Sequence, residues 1–292
     1  MIAITGATGA VGGGAARVLG AAGVAHRLIV RDPTRAPDTG GEVRIASGYA
    51  DTGSMRAALS GADTLLLISG RESANRVAEH RSVVDAAVAA GVRRCVYLSF
   101  QGAAADCTFT FGRDHWHTEQ LIRASGVRFT FLRDCFYQGM LVALCGDDRV
   151  IRGPAGDGAV AAVTQEDVAA CAAAVLLAKN SDEGLDGMTL DVTGPAALTL
   201  SEVAATLSEV VSRDVRYEPE TIAEAFASRQ HYGAPDFETA GWVSSYTSIA
   251  SGEVSAVSDT VSRLTTRPAT AFVDYLRQRP DLWRHLSLAT GS

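Results

Sequence analysis

Residues 1–14 read MIAITGATGAVGGG, and this stretch decides the fold. A short run rich in β-branched residues, Ile2 to Thr5, turns directly into glycines at 6, 9 and 12, and an alanine-rich helical composition follows. A bound pyrophosphate needs a tight strand-to-helix turn, backbone that it can approach closely, and a helix N-terminus whose free amides and dipole face the anion. Glycine spacing alone is weak evidence. Here it follows a strand, opens a helix and heads a series of strand–helix units, the context in which it signals a dinucleotide site.

Working outward, short runs with strand composition lie at 1–5, 26–31, 42–47, 63–69, 94–99 and 127–132. Helical stretches lie between them at 10–22, 54–60, 73–90 and 114–125, with Gly23, Gly61, Gly91 and Gly126 at the expected helix ends. Leu65-Leu66-Leu67-Ile68 suits a strand buried on both faces. Two capping signatures, Thr164-Gln-Glu-Asp167 and Thr199-Leu-Ser-Glu202, predict helices over about 165–179 and 200–212, each with a hydroxyl accepting from an orphan amide and an acid reaching back. The fold class is therefore α/β, a Rossmann-type doubly wound parallel sheet. Residues 217–262 carry scattered aromatics without clear periodicity and are expected to form a smaller C-terminal subdomain over the substrate.

The chain has 292 residues, 47% hydrophobic and 20% charged, enough for one large core. A net charge of -7 excludes a nucleic-acid surface, which needs clustered positive charge. No apolar run approaches the roughly 20 residues of a membrane span, and no secretion signal opens the chain, so a cytoplasmic location is expected. Five cysteines without a CxxC suggest neither a disulfide framework nor a zinc site.

The end of the second strand bears on which dinucleotide binds. Asp32 stands about 20 residues past the last glycine, where an acid accepts from the ribose hydroxyls of NAD; Arg31 would instead pair with the 2′-phosphate of NADP. Strand alternation does not settle which faces the ribose. Arg35 adds a second cation nearby, and a guanidinium binds phosphate through two hydrogen bonds, which favours NADP.

Beyond these local readings, ITGATGAVG, VRDP at 30–33, GYAD at 48–51 and LLLISG at 65–70 together resemble the NmrA-like atypical short-chain dehydrogenase/reductases, within them most closely the quinone oxidoreductase type 2 and triphenylmethane reductase group. The likeness continues through 80–99, 115–137 and 155–169 and weakens over 217–262. It implies NADPH along the carboxyl ends of the strands, with Gly6, Thr8, Gly9, Val11 and Gly12 at the pyrophosphate and Arg31 at the 2′-phosphate. It also implies Asp51 near the adenine, Ser69 and Gly70 along the middle of the cofactor, and Ser99 near the nicotinamide. Residues 1–155 then form the NADP-binding domain, and 156–292 complete the sheet and form the substrate-covering subdomain.

Ordinary short-chain dehydrogenases carry Tyr-x-x-x-Lys, in which the ammonium lowers the phenol's pKa for proton exchange. No tyrosine here has a lysine four residues on, and the one lysine, Lys179, belongs to a later helix. In the matching stretch, GRDHWHTEQL (112–121), Gln120 stands where some family members have lysine. His115 and Glu119 share a helix face, so Glu119 is a candidate to orient His115 for proton donation; the plainer alternative has Glu119 pairing with an arginine and Asp114 or a neighbour capping the helix. His117 points elsewhere and reads as surface, and a metal site is not expected because His-x-His on a helix splays its rings apart. Tyr137, after the sixth strand, falls where the family lines the nicotinamide and substrate pocket.

The expected activity is an NADPH-dependent reduction of a quinone-like or other conjugated, electron-poor small molecule. Hydride transfer to such an acceptor needs no protein acid, so losing the tyrosine–lysine pair is compatible with it. The alternatives are an NADP-binding redox-sensing regulator without turnover, and a reductase or isomerase dedicated to one biosynthetic metabolite. A homodimer is plausible.

Overall fold

The computed structural model describes residues 1–178 and 184–287. Its first portion alternates strand and helix: β1 (Ile2–Ile4), α1 (Ala10–Ala21), β2 (His26–Val30), β3 (Glu42–Ile45), α2 (Thr52–Leu59), β4 (Thr64–Leu67), α3 (Arg76–Ala89), β5 (Arg94–Phe100), α4 (Thr110–Ala124) and β6 (Arg128–Asp134). The chain then becomes less regular, through α5 (Gln138–Ala143), β7 (Val150–Gly153), β8 (Ala159–Val160), α6 (Gln165–Leu177), β9 (Thr189–Val192), β10 (Leu198–Thr199) and α7 (Leu200–Val211). β11 (Arg216–Pro219), α8 (Ile222–Arg229), α9 (Asp236–Ala250), α10 (Thr260–Thr265), α11 (Phe272–Gln278) and α12 (Pro280–Ser287) complete it.

Seven strands form one parallel sheet in the order β3-β2-β1-β4-β5-β6-β9, the Rossmann-type doubly wound arrangement expected. Strand order reverses between β1 and β4, so a crevice opens above their carboxyl ends, where α/β sheets bind ligands. Alternation along β5 sorts its side chains. Cys95 and Tyr97 enter the core under α2 and α3, whereas Val96, Leu98 and Phe100 enter the core shared with α1 and α6. That second core runs without a break from Ile4 to Leu286, so the early and late portions of the chain share one interior. α1 and α6 approach closely, since a Cβ on Gly14 would lie 2.7 Å from Cβ of Ala169.

Several boundaries move from expectation for physical reasons. α4 starts at Thr110, four residues before the expected 114, so Asp114 caps nothing and sits within the helix, 3.9 Å from Arg76. α2 starts at Thr52 because Asp51 accepts from the Ser54 amide as its N-cap. Thr199 and Glu202 form the complete capping box. Thr164 caps α6, but Asp167 turns away to Arg267 and the Thr270 amide instead of reaching back. Lys179 lies outside the described residues. β9 escaped the sequence reading because it is only four residues long and carries the polar Thr189 and Asp191. α9 escaped because its buried surface mixes Gly241, Ser244 and Ser248 with Val243, Tyr246 and Ile249, which blurs the apolar stripe of an ordinary helix. Among the described residues no helix is long and apolar enough to cross a membrane.

Candidate functional site

The crevice has two connected compartments, and the first is built largely of backbone. β1 ends with the Thr5 amide donating to the Leu66 carbonyl at 3.0 Å, which ties the turn to β4. Gly6 then takes φ +59°, a conformation that side chains resist, and a Cβ there would lie 2.9 Å from Cβ of Ile68. At Gly12 a Cβ would lie 2.5 Å from the Gly6 carbonyl oxygen, so α1 can begin tight against the turn only with glycine. Gly9 is the N-cap of α1 and supplies no side-chain cap, which leaves the first amides of α1 to a ligand. Gly6, Thr8, Arg31, Tyr49, Ser69 and Gly70 line the cleft; Val11 is 5% exposed and packs inward.

Arg31 and Asp32 differ in what already engages them. Asp32 Oδ1 accepts from the Thr34 amide at 3.0 Å and the Thr34 hydroxyl at 2.6 Å, and these bonds hold its carboxyl below the usual range. It is committed to a local turn. Arg31 is exposed beside the cleft and, among the described residues, makes no hydrogen bond or ion pair. Asp51 is likewise spent on capping α2, and its neighbours Tyr49, Ala50 and Met55 form the cleft wall expected of it. The cradle therefore fits a dinucleotide with an anion beside Arg31.

The second compartment is a cavity of about 320 Å3, in the lower range for small-molecule sites, and Ser69 lines both compartments. Phe100, Phe109 and Phe136 form its aromatic floor, with ring centroids 4.9 Å (Phe100–Phe109), 4.9 Å (Phe100–Phe136) and 5.1 Å (Phe109–Phe136) apart. α9 closes one side through Gly241, Trp242 and Ser245. Helix and floor meet tightly, because a Cβ on Gly241 would lie 2.1 Å from Phe111.

Buried polar groups complete this cavity. Arg76, at the start of α3, is 5% exposed and donates from Nη2 to His115 Nε2 at 3.1 Å. A guanidinium only donates, so Nε2 must accept, and the proton of His115 sits on Nδ1, donated to Tyr97 Oη at 3.0 Å. Burial and the Arg76 charge hold His115 well below its ordinary pKa, hence neutral. His80 repeats the pattern: Nε2 accepts from the Gly70 amide, Nδ1 donates to Thr118, and burial lowers its pKa to about 3. Among the described residues Arg76 Nε and Nη1 have no hydrogen-bond partner.

Glu119 does not orient His115. It accepts two bonds from Arg133, at 2.7 and 2.8 Å, and one from the Ser99 hydroxyl at 2.6 Å. Ser99 is consequently fully buried against α4 instead of facing the cleft, and the next residue, Phe100, reaches the cavity. His117 is exposed, and Gln120 walls neither compartment. Tyr137 does line the cavity, and its hydroxyl donates to Asp134 Oδ2 at 2.5 Å. Asp134 closes β6 and is 5% exposed; burial pushes its pKa up to about 7. Burial and the Asp134 charge push Tyr137 well above the usual phenol range.

The model of the NmrA-like family matches residues 1–239. The chain belongs to the NmrA-like family. Among NmrA-like structures, that of an NADPH-dependent quinone oxidoreductase from Escherichia coli, complexed with NADPH, has a TM-score of 0.86 at 33% identity, covering 95% of this chain and 99% of that one. Citrobacter sp. triphenylmethane reductase complexed with NADP(H) has a TM-score of 0.81 at 31% identity, with 95% and 99% covered. A (4-alkanoyl-5-oxo-2,5-dihydrofuran-3-yl)methyl phosphate reductase of Streptomyces griseus is 34% identical over 94% of this chain and 96% of its own length. Within this NmrA-like frame, Arg76 and Asp134 are the cavity residues that sequence reasoning missed. Arg76 carried no signal; Asp134, a charge at the carboxyl end of a buried strand, did.

Proposed function

We propose that this NmrA-like protein is an NADPH-dependent reductase that passes hydride to a quinone-like or otherwise conjugated, electron-poor small molecule. The observation that carries the reading is the single crevice whose glycine-built compartment runs at Ser69 into an aromatic-walled cavity. The similarity to the NADPH-bound quinone oxidoreductase supports it.

When bound, NADPH supplies the hydride. Gly6, Thr8, Gly9 and the first amides of α1, to which Val11 and Gly12 belong, hold its pyrophosphate, Arg31 its 2′-phosphate, and Ser69 and Gly70 its middle. The phenylalanine floor and α9 exclude water and keep a flat acceptor in place, so that alignment carries the hydride step for an acceptor that is already electrophilic. His115 contributes a ring face to the cavity and holds Arg76. Residues 1–155 carry the cofactor, and 156–292 complete the sheet and cover the substrate. The reading also places the enzyme in the cytoplasm, which suits five free, buried thiols, and as a homodimer, tested by sedimentation.

Titration with NADPH, followed by loss of its absorbance with a panel of quinones, cationic dyes and enones, tests the activity. Tight binding without oxidation across the whole panel would refute it and leave a cofactor sensor. A second reading has the acceptor as a conjugated carbonyl compound bearing an anionic group, as in the Streptomyces relative's substrate. Arg76 favours it, since its buried Nε and Nη1 have no hydrogen-bond partner among the described residues and only a 3.9 Å ion pair, from Nη1 to Asp114. Preference for a phosphorylated enone over its neutral parent, abolished by Arg76→Met, distinguishes the two.

A further inference from the structure

Reduction of a quinone consumes a hydride and a proton, whereas reduction of a delocalised carbocation consumes a hydride alone. Resting on the reductase reading, this difference makes the proton's origin testable. The usual pair is absent, and His115 has its pocket-side nitrogen occupied by Arg76. Tyr137 is the hydroxyl of the cavity wall that touches a buried acid.

We propose that Asp134 and Tyr137 form a proton relay, in which the Tyr137 hydroxyl protonates the acceptor oxygen and the Asp134 carboxyl at once reprotonates Tyr137. The geometry carries this. Asp134 closes a central strand and Tyr137 precedes α5, so both groups are fixed by secondary structure, in contact, at the edge of the aromatic floor. With Asp134 ionised, the phenol donates to it and has nothing for the cavity. With Asp134 protonated, the hydrogen bond reverses, and the phenolic hydrogen is free to meet an acceptor oxygen. In each turnover a C–H bond forms on the acceptor, or an O–H bond where hydride adds at oxygen, at the expense of the hydride donor's C–H bond. The acceptor oxygen then gains the phenolic proton, the phenol gains the carboxyl proton, and solvent reprotonates Asp134 on product release.

Tyr137 cannot give its proton alone, because a phenolate beside a carboxylate in a buried site is strongly disfavoured. Asp134 can give one near neutrality, since burial has lifted its pKa to about 7. The other charged or titratable groups at this cavity are Arg76, which favours ionised Asp134, neutral His115, the Cys135 thiol, which burial pushes far up, and Glu72 at the rim, with Asp114 beside Arg76.

The test compares turnover of a neutral quinone with that of a cationic triphenylmethane dye on both sides of neutrality. In the unmodified protein, quinone turnover should fall as pH rises through about 7 while dye turnover does not, and deuterated solvent should slow the quinone only. Asp134→Asn and Tyr137→Phe should each lower the quinone-to-dye ratio by roughly 100-fold and erase the pH step. A ratio unchanged in both variants, or a quinone rate in the unmodified protein with no pH step and no solvent isotope effect, would overturn the relay and make solvent the donor. The unmodified protein suffices if a variant does not fold. Failure to oxidise NADPH with either acceptor would instead remove the reductase reading itself, and the relay with it.

Discussion

At the nucleotide end of the crevice the walls are backbone, a left-handed glycine turn and the bare N-terminus of α1, with Arg31 standing free at the rim. At the acceptor end the walls are side chains, brought from α3, β5, α4, β6 and α9, with Arg76, His115 and Asp134 each 5% exposed. The first end recognises a constant ligand by shape and by amides that cost nothing to reorganise. The second is a desolvated network, where each charge depends on its partner and a lost contact leaves a group unsatisfied. Substitutions should therefore act locally and weakly at one end, cooperatively and strongly at the other.

The largest effect is expected at Glu119, behind the acceptor cavity. Glu119→Ala strands the half-buried Arg133 and frees Ser99, and should cost about 3–5 kcal/mol of stability, read from the urea midpoint at constant slope. A loss below about 1 kcal/mol would break the contrast. Next, Arg31→Ala should weaken NADPH by about 10- to 100-fold, or 1.4–2.8 kcal/mol, and leave NADH nearly unaffected. Equal losses for both cofactors would move the 2′-phosphate elsewhere. Gly241→Ala should push α9 off Phe111 and raise the acceptor KM several-fold with NADPH affinity intact, sharpening the separation of the two ends. The smallest effect is expected for Asp51→Ala, which removes an exposed cap and should lower stability by about 0.5–1 kcal/mol. Any weakening of NADPH beyond that loss would return Asp51 to the adenine.

The same contrast explains what the sequence made readable. The turn at Gly6 and the parallel order of β1 to β6 rest on interactions between near neighbours and on apolar runs, both of which leave a local trace. Arg31 and Tyr137 could be placed at the crevice because each follows closely on the carboxyl end of a strand. Ser99, near the end of β5, and Asp51, before α2, make side-chain contacts that the sequence did not announce, because what engages them is a partner, Glu119 for one and the Ser54 amide for the other. Arg76 meets His115 across 39 positions of chain, and no spacing rule reports such a meeting. α9 stayed hidden because Gly241, which lets it approach Phe111, and the buried Ser244 and Ser248 interrupt the apolar Val243, Tyr246 and Ile249.

Histidine is ordinarily the side chain that reports acidity near neutrality. Here His80 and His115, the two imidazoles of the polar frame, are both held neutral by burial and by Arg76, so neither changes charge as the solution crosses neutrality. The frame is silent to pH. A response of quinone turnover near neutrality then points past the imidazoles to a carboxyl, and Asp134, buried and in contact with Tyr137, is the one placed to deliver it.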